Sequence, residues 1–187
     1  MRILITGISG FVGPHLARHI AETAPEAEVW GLDLAVDSTD APSSIQQIEG
    51  DLTDISSLKT ALDEVRPEII FHLAAASSVA SSWDHPGRFL EVNAVGTVNL
   101  LEVVRTLDPG TRVVVSSSAE VYGTVPTDQQ PITEDSPLKP LSPYAASKAA
   151  QDLLTAQYYH GYGLPTVRLR LFHHTGPGRP TQFVASS

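Results

Sequence analysis

At 187 residues, with 42% hydrophobic and 18% charged side chains, the chain has the composition of a globular domain large enough to bury a core. A formal net charge of -9 argues against nucleic acid or an anionic membrane as its main partner. The absence of cysteine rules out disulfides, a thiol nucleophile and thiolate metal sites. No apolar run approaches a transmembrane length and the opening one is too short for a signal peptide, so the expected location is cytoplasmic.

Arg2-Ile3-Leu4-Ile5 reads as a buried strand and Pro14 to Ile20 as a helix. Between them lies Thr6-Gly7-Ile8-Ser9-Gly10-Phe11-Val12-Gly13. A glycine-punctuated turn between strand and helix brings backbone N–H groups close to a pyrophosphate, and the helix dipole favours negative charge there. Glu28 to Asp33 gives the next strand. It ends in an acid about twenty residues past the glycines, where a dinucleotide fold holds the adenosine ribose. A carboxylate there accepts hydrogen bonds from both ribose hydroxyls and repels a 2′-phosphate, which favours NAD over NADP.

Strand and helix signals then alternate. Ile45–Ile48 predicts a third strand, Ser56–Val65 a helix ended by Pro67, and Glu68–Leu73 a fourth strand. Apolar residues at helical spacing predict one long helix over Phe89–Leu107. Arg112–Val115 is the fifth strand, Tyr144–His160 a helix, and Thr166–Leu171 the last strand, with loops at 34–44 and 124–143. The expected fold is α/β: a Rossmann-like, doubly wound parallel sheet with helices on both faces.

The fifth strand runs into Ser116-Ser117-Ser118-Ala119-Glu120-Val121-Tyr122-Gly123, at the sheet edge where open α/β folds bind ligands. Tyr144 and Lys148 stand four apart and share a helix face. A phenol with its ordinary pKa of about 10 is a poor base at neutral pH. A nearby ammonium favours the phenolate, and a serine hydroxyl can hold the substrate oxygen. His15 and His19 are also four apart, but no third metal ligand accompanies them and they read as a solvated pair.

These motifs resemble the extended short-chain dehydrogenase/reductases, the branch of nucleotide-sugar epimerases, dehydratases and reductases. The elements that carry the likeness are Gly7, Gly10 and Gly13, Asp51-Leu52, His72-Leu73-Ala74-Ala75, Asn93, Ser118 with Tyr122-Gly123, and Tyr144 with Lys148. The resemblance implies a catalytic triad of Ser118, Tyr144 and Lys148, with Lys148 also on the nicotinamide ribose. It implies cofactor contacts from the glycine turn (Phe11 and Val12 included), Asp33, Asp51, Leu52, Leu73–Ala76, Asn93 and Ser116. Ser77-Ser78-Val79-Ala80-Ser81-Ser82-Trp83 and His174-Thr175-Gly176-Pro177-Gly178 are similar to GDP-4-keto-6-deoxy-mannose reductases and, less closely, to GDP-mannose 4,6-dehydratases. The substrate expected is thus a GDP-sugar, touched by Ser77, Ser78, Ser118, Glu120 and His173. The sequence favours the reductase. A dehydratase would use Glu120 as the base at C5, and an epimerase ranks third. Where the family places asparagine, this chain has His173.

The resemblance divides the chain into a dinucleotide-binding domain, 1–171, and the start of a substrate-binding region, 172–187. Related chains continue into a smaller substrate domain, so this one is expected to be truncated. The alternative of another class is a dinucleotide-binding module without turnover. The two long helices also suggest a homodimer, as in related enzymes.

Overall fold

The structure, a computed structural model, describes residues 1–35 and 45–179. Most of the predicted 34–44 loop and the final residues 180–187 lie outside the described residues. Six strands form one parallel sheet: β1 (Arg2–Thr6), β2 (Glu28–Asp33), β3 (Gln46–Glu49), β4 (Ile69–His72), β5 (Arg112–Ser118) and β6 (Thr166–Leu171). Their order is β3-β2-β1-β4-β5-β6. This is the doubly wound arrangement, in which the winding reverses between β1 and β4 and opens a crevice at their carboxyl ends.

Side-chain alternation explains how the sheet is covered. Ile3 and Ile5 of β1 face α1 (Val12–Thr23) and pack with Ala17, Ile20 and Val29. Leu4 points the other way, into a larger core with Leu32, Ile70, Val113 and Val115. That core is closed by Leu58 and Leu62 of α2 (Ile55–Val65), Leu100 and Val104 of α5 (Gly96–Leu107), and Tyr158 of α6 (Pro143–Tyr162). Strands buried on both faces need apolar residues at nearly every position, which is why their runs are continuous.

Local signals set the helix ends. Asp54 caps α2 by accepting from the Ser56 amide, and Arg66 closes it in the left-handed region at φ 48°. Ser142 caps α6 by accepting from the Ala145 amide, Pro143 occupies its first turn, and Gly163 ends it at φ 72°.

The single helix expected over 89–107 is three pieces. A short α4 (Pro86–Leu90) leads into a π-helical turn, Glu91–Val95, before α5 begins. Widening the turn carries Asn93, fully buried, toward the sheet edge. Another short helix, α3 (Val79–Asp84), stands in a stretch for which no helix is predicted. Strand β5 extends three residues past Val115, because β6 pairs with it as far as Ser118↔Leu171.

One buried ionic cluster ties α6 to β6. Asp152, with no solvent exposure, accepts from Arg168 at 2.8 Å and from Arg170 at 2.9 and 3.0 Å. Arg170 also donates to the Tyr122 hydroxyl at 2.9 Å and to the Glu134 carbonyl at 2.8 Å. Burial opposes ionisation of Asp152, but the Arg170 hydrogen bonds and the two guanidinium charges hold its carboxyl below the usual range. Asp152→Asn removes the charge while two guanidinium groups stay. It should destabilise the fold by about 3 kcal/mol in urea titrations near neutral pH. The ion pair's contribution is present above the ordinary carboxylate pKa and is lost as pH falls through the lowered one. The gap between wild type and variant should therefore close on the acid side.

Candidate active site

A cleft of about 1300 Å³ opens at the carboxyl edge of β1, β2, β4 and β5. It brings together most of the residues read from the sequence. Gly7, Gly10, Phe11, Val12 and Gly13 form one end with Asp33, Asp51 and Leu52. Leu73, Ala74, Ala75, Ala76 and Ser77 form a wall, and Ser116, Ser118, Glu120, Tyr144, Lys148 and His173 complete the other end. Two expected residues stand elsewhere. Asn93 lies beneath the wall, its amide accepting from the Ala76 N–H at 2.8 Å and donating to the Ala76 carbonyl at 3.0 Å. Ser78 caps α3, accepting from the Ser81 amide at 3.2 Å. Neither side chain lines the cleft; Asn93 bonds to the wall and to Ser147, and Ser78 to the first turn of α3.

The glycine turn is built by exclusion. Gly7 has φ +72°, and a Cβ on it would lie 2.7 Å from the Ala74 nitrogen. A Cβ on Gly13 would lie 2.3 Å from the Ile8 carbonyl oxygen, so only glycine lets α1 start this close to the turn. Phe11, at the cap position of α1, provides no side-chain cap for the first-turn amides. They remain available to an anion, as a diphosphate requires. Asp33 closes the far side: its carboxylate accepts from the Ser9 amide at 3.0 Å and from the Leu34 amide at 2.9 Å. The residues present therefore fit a dinucleotide.

At the other end, Ser118 finishes β5 and caps a 3-10 turn, Ala119–Tyr122, by accepting from the Glu120 amide at 3.2 Å. Glu120 shares the cleft with Ser118 because of this turn, not because of strand alternation, which ends at Ser118. Tyr144 and Lys148 project from the first two turns of α6. Phe89 packs edge-on against the Tyr144 ring, centroids 6.4 Å apart, and holds it in place. Burial pushes the Tyr144 phenol above its ordinary pKa; the Ser118 hydrogen bond pulls it down and the Glu120 charge pushes it up. The ammonium expected to lower it, Lys148 Nζ, donates to the Ser116 carbonyl. Burial brings Lys148 itself down to about 7, with Asp152 acting in the opposite sense. The phenol, in this state of the site, is a proton donor.

Several residues of the cleft escaped the sequence reading. Arg88 of α4 lines it. His15 does too, with its Nε2 2.9 Å from the Pro177 carbonyl and its Nδ1 taking the Arg18 guanidinium at 3.1 Å. His174 stacks on Phe11 at 5.9 Å, so the segment after β6 crosses the mouth of the glycine turn. Such contacts depend on where a loop returns, and no local pattern encodes that. Among the described residues no cluster of His, Asp and Glu could hold a metal, and no helix is long and apolar enough to cross a membrane.

Comparison with known proteins agrees with this geometry. A family model described as GDP-mannose 4,6 dehydratase matches residues 4–187. GDP-mannose 4,6 dehydratase 1 of Arabidopsis thaliana is 35% identical, the match covering 97% of this chain and 54% of that protein. The structure of DesIV, the dTDP-glucose 4,6-dehydratase of Streptomyces venezuelae, solved with NAD and TYD bound, superposes with a TM-score of 0.84. It is 36% identical, and the match covers 95% of this chain and 57% of that one. RMD from Pseudomonas aeruginosa, complexed with NADPH, gives a TM-score of 0.82 at 32% identity, covering 98% of this chain and 56% of that one. The chain spans about half the length of the curated relatives it matches. Glycine turn, sheet order and match thus agree, and the chain belongs to the GDP-mannose 4,6-dehydratase family within the extended short-chain dehydrogenase/reductases.

Proposed function

We propose that these residues form the cofactor-binding and catalytic part of an NAD-dependent nucleotide-sugar 4,6-dehydratase acting on a GDP-hexose. The observation that carries this reading is Glu120, a carboxylate in the same cleft as Ser118 and Tyr144 and close enough to the phenol to raise its pKa. Oxidation at C4 followed by loss of water across C5 and C6 needs a base at C5, separate from the group that handles the C4 oxygen. Glu120 meets that requirement. Bound NAD would accept the hydride from C4 and, after water has left, would supply it to C6, with the proton taken from C5 returned there. The chain's own residues do the rest. Ser118 holds the C4 oxygen, Tyr144 exchanges its proton, Glu120 takes the C5 proton, and Lys148 holds the ribose. Asp33, placed against the glycine turn, favours NAD over NADP.

A second reading, the GDP-4-keto-6-deoxy-mannose reductase favoured by the sequence, draws support from the raised pKa of Tyr144. A phenol that keeps its proton is suited to protonate a C4 alkoxide as hydride arrives. That chemistry has no need of Glu120, so the two readings separate experimentally.

The division at residue 171 belongs to the same proposal. On the sheet face shared with α1, Val167 is 43% and Leu169 40% exposed, an apolar strip that a substrate-binding region would cover. Leu153, Tyr159 and Tyr162, exposed on α6, support pairing of two copies through the long helices.

Turnover is tested with GDP-mannose and NAD, and separately with GDP-4-keto-6-deoxy-mannose and NADH. In the first assay Glu120→Gln should lower the rate about a hundredfold or more, as expected for loss of a general base. A variant as fast as wild type would remove Glu120 as the base, and turnover confined to the second assay would replace the dehydratase by the reductase. Cofactor binding with no product in either assay would leave the dinucleotide-binding module. Tyr144→Phe should abolish turnover in both assays and leave NAD affinity within about twofold, since it removes only a hydroxyl.

Lys148→Met gives a test in the opposite sense. Below pH 7 the native lysine is charged in both the folded and unfolded states, and the full cost of burying the charge is present. Above about 7 the folded form sheds its proton while the unfolded form keeps it to about 10.4, so wild-type stability gains with rising pH. Urea titrations should find the variant more stable than wild type at pH 6, with a margin that shrinks by pH 9.

A further inference from the structure

A buried hydrogen-bond chain runs beneath the cleft, and its donors can be assigned from Thr97 outward, with only the Gln151 Oε1 acceptor left without a partner among the described residues. Thr97 Oγ1 donates its single proton to the Asn93 carbonyl at 2.7 Å and accepts from Gln151 Nε2 at 2.7 Å. Its remaining lone pair faces His72 Nε2 at 2.9 Å, so that nitrogen must carry a proton. His72 Nδ1 then accepts, and its partner at 2.8 Å, Thr6 Oγ1, must donate. Thr6 is left with lone pairs to receive the Ala74 amide at 3.2 Å. Thr6, His72, Asn93, Thr97 and Gln151 are all buried.

The chain closes on the catalytic helix. Asn93, which grips both backbone groups of Ala76, also donates to Ser147 Oγ at 2.9 Å. Ser147, fully buried between Tyr144 and Lys148 in sequence, passes its own proton to the Tyr144 carbonyl at 2.7 Å. Ala74 is the residue against which Gly7 packs without room for a Cβ. One network therefore fixes both ends of the 74–76 wall, the wall's distance from the glycine turn and the start of α6. Burial and then the Lys148 charge keep the His72 ring neutral, its pKa brought down to about 3, so the assignment holds through the physiological range.

We propose that His72 and Thr97 are positioning residues: through Thr6 and Asn93 they hold the cofactor wall at Ala74–Ala76 in register with the backbone of Tyr144, and so set dinucleotide affinity without touching the dinucleotide. The inference rests on the reading of that wall as dinucleotide-binding. A one-proton, two-lone-pair oxygen at position 97 is what the geometry requires, which valine lacks and serine retains.

The test compares wild type, Thr97→Val and Thr97→Ser by calorimetric titration with NAD, well below each variant's midpoint of thermal unfolding and with folding confirmed by circular dichroism. Thr97→Val leaves the His72 and Gln151 N–H groups without an acceptor and should weaken NAD binding about tenfold or more, while Thr97→Ser should stay within about threefold of wild type. Nitrogen-15 spectra of histidine-labelled wild type should show His72 neutral with its proton on Nε2. Equal affinities for all three folded proteins, or a proton on Nδ1, would overturn the inference while leaving the dinucleotide reading intact. A wild-type chain that binds no NAD would sink that reading and this inference with it.

Discussion

One close approach governs the chemistry of the molecule: the backbone of the first turn lies against the backbone just past the tip of β4. Gly7 meets Ala74 where no side chain fits, and Gly13 meets Ile8 in the same way. These contacts require parallel strands β1 and β4 to end side by side, which the reversal of winding between them provides. With the strand tips adjacent, the start of α1 points its amides into the crevice, and the next strand in each direction supplies what a ligand meets there. To one side β2 delivers Asp33. To the other, β5 delivers Ser118. The catalytic end is thus located by the same topology that shapes the anion cradle, though 100 or more residues separate them in the chain.

Charge follows a similar division. The chain as a whole carries -9, which would repel a nucleotide sugar and a dinucleotide alike. The cleft departs from that average: four side chains of Lys and Arg line it against three carboxylates. Asp33 and Asp51 are partly occupied by nearby backbone amides of Ser9, Leu34 and Thr53. The acids that dominate the net charge lie elsewhere, so the local field at the ligand differs from what the total suggests. Lys148 shows the cost of such a site: its ammonium is enclosed beside a carbonyl with no carboxylate in direct contact among its hydrogen bonds.

Much of this was legible in the sequence because it is encoded locally. Strand runs, the glycine turn, the acid at the end of β2 and the i, i+4 pair of Tyr144 and Lys148 are all short-range patterns, and each stands where its pattern predicts. What the sequence hid depends on a third partner. The long apolar period over 89–107 read as one helix, since a π turn inserts one residue without disturbing the apolar character on either side. Asn93, which the resemblance places among the cofactor contacts, stands beneath the wall and bonds to Ala76 and Ser147, an arrangement no local pattern encodes. Likewise Lys148 was expected to act on the Tyr144 phenol, from helical spacing alone. Spacing fixes which face two side chains share but not where their ends point, and the Ser116 carbonyl, from a strand 32 residues away, captures the ammonium.

The π turn also accounts for why a buried polar network is tolerated under the cleft. An uninterrupted α-helix would present a different set of side chains to the 74–76 segment and leave the Ala76 amide and carbonyl to find other partners. The widened turn brings Asn93 in and meets both groups at once, and the Thr97 hydroxyl donates to the Asn93 carbonyl. A local departure from α-helical geometry is therefore balanced by hydrogen bonds made in the wall above it. Those bonds fix the wall where the strand tips leave room for a ligand.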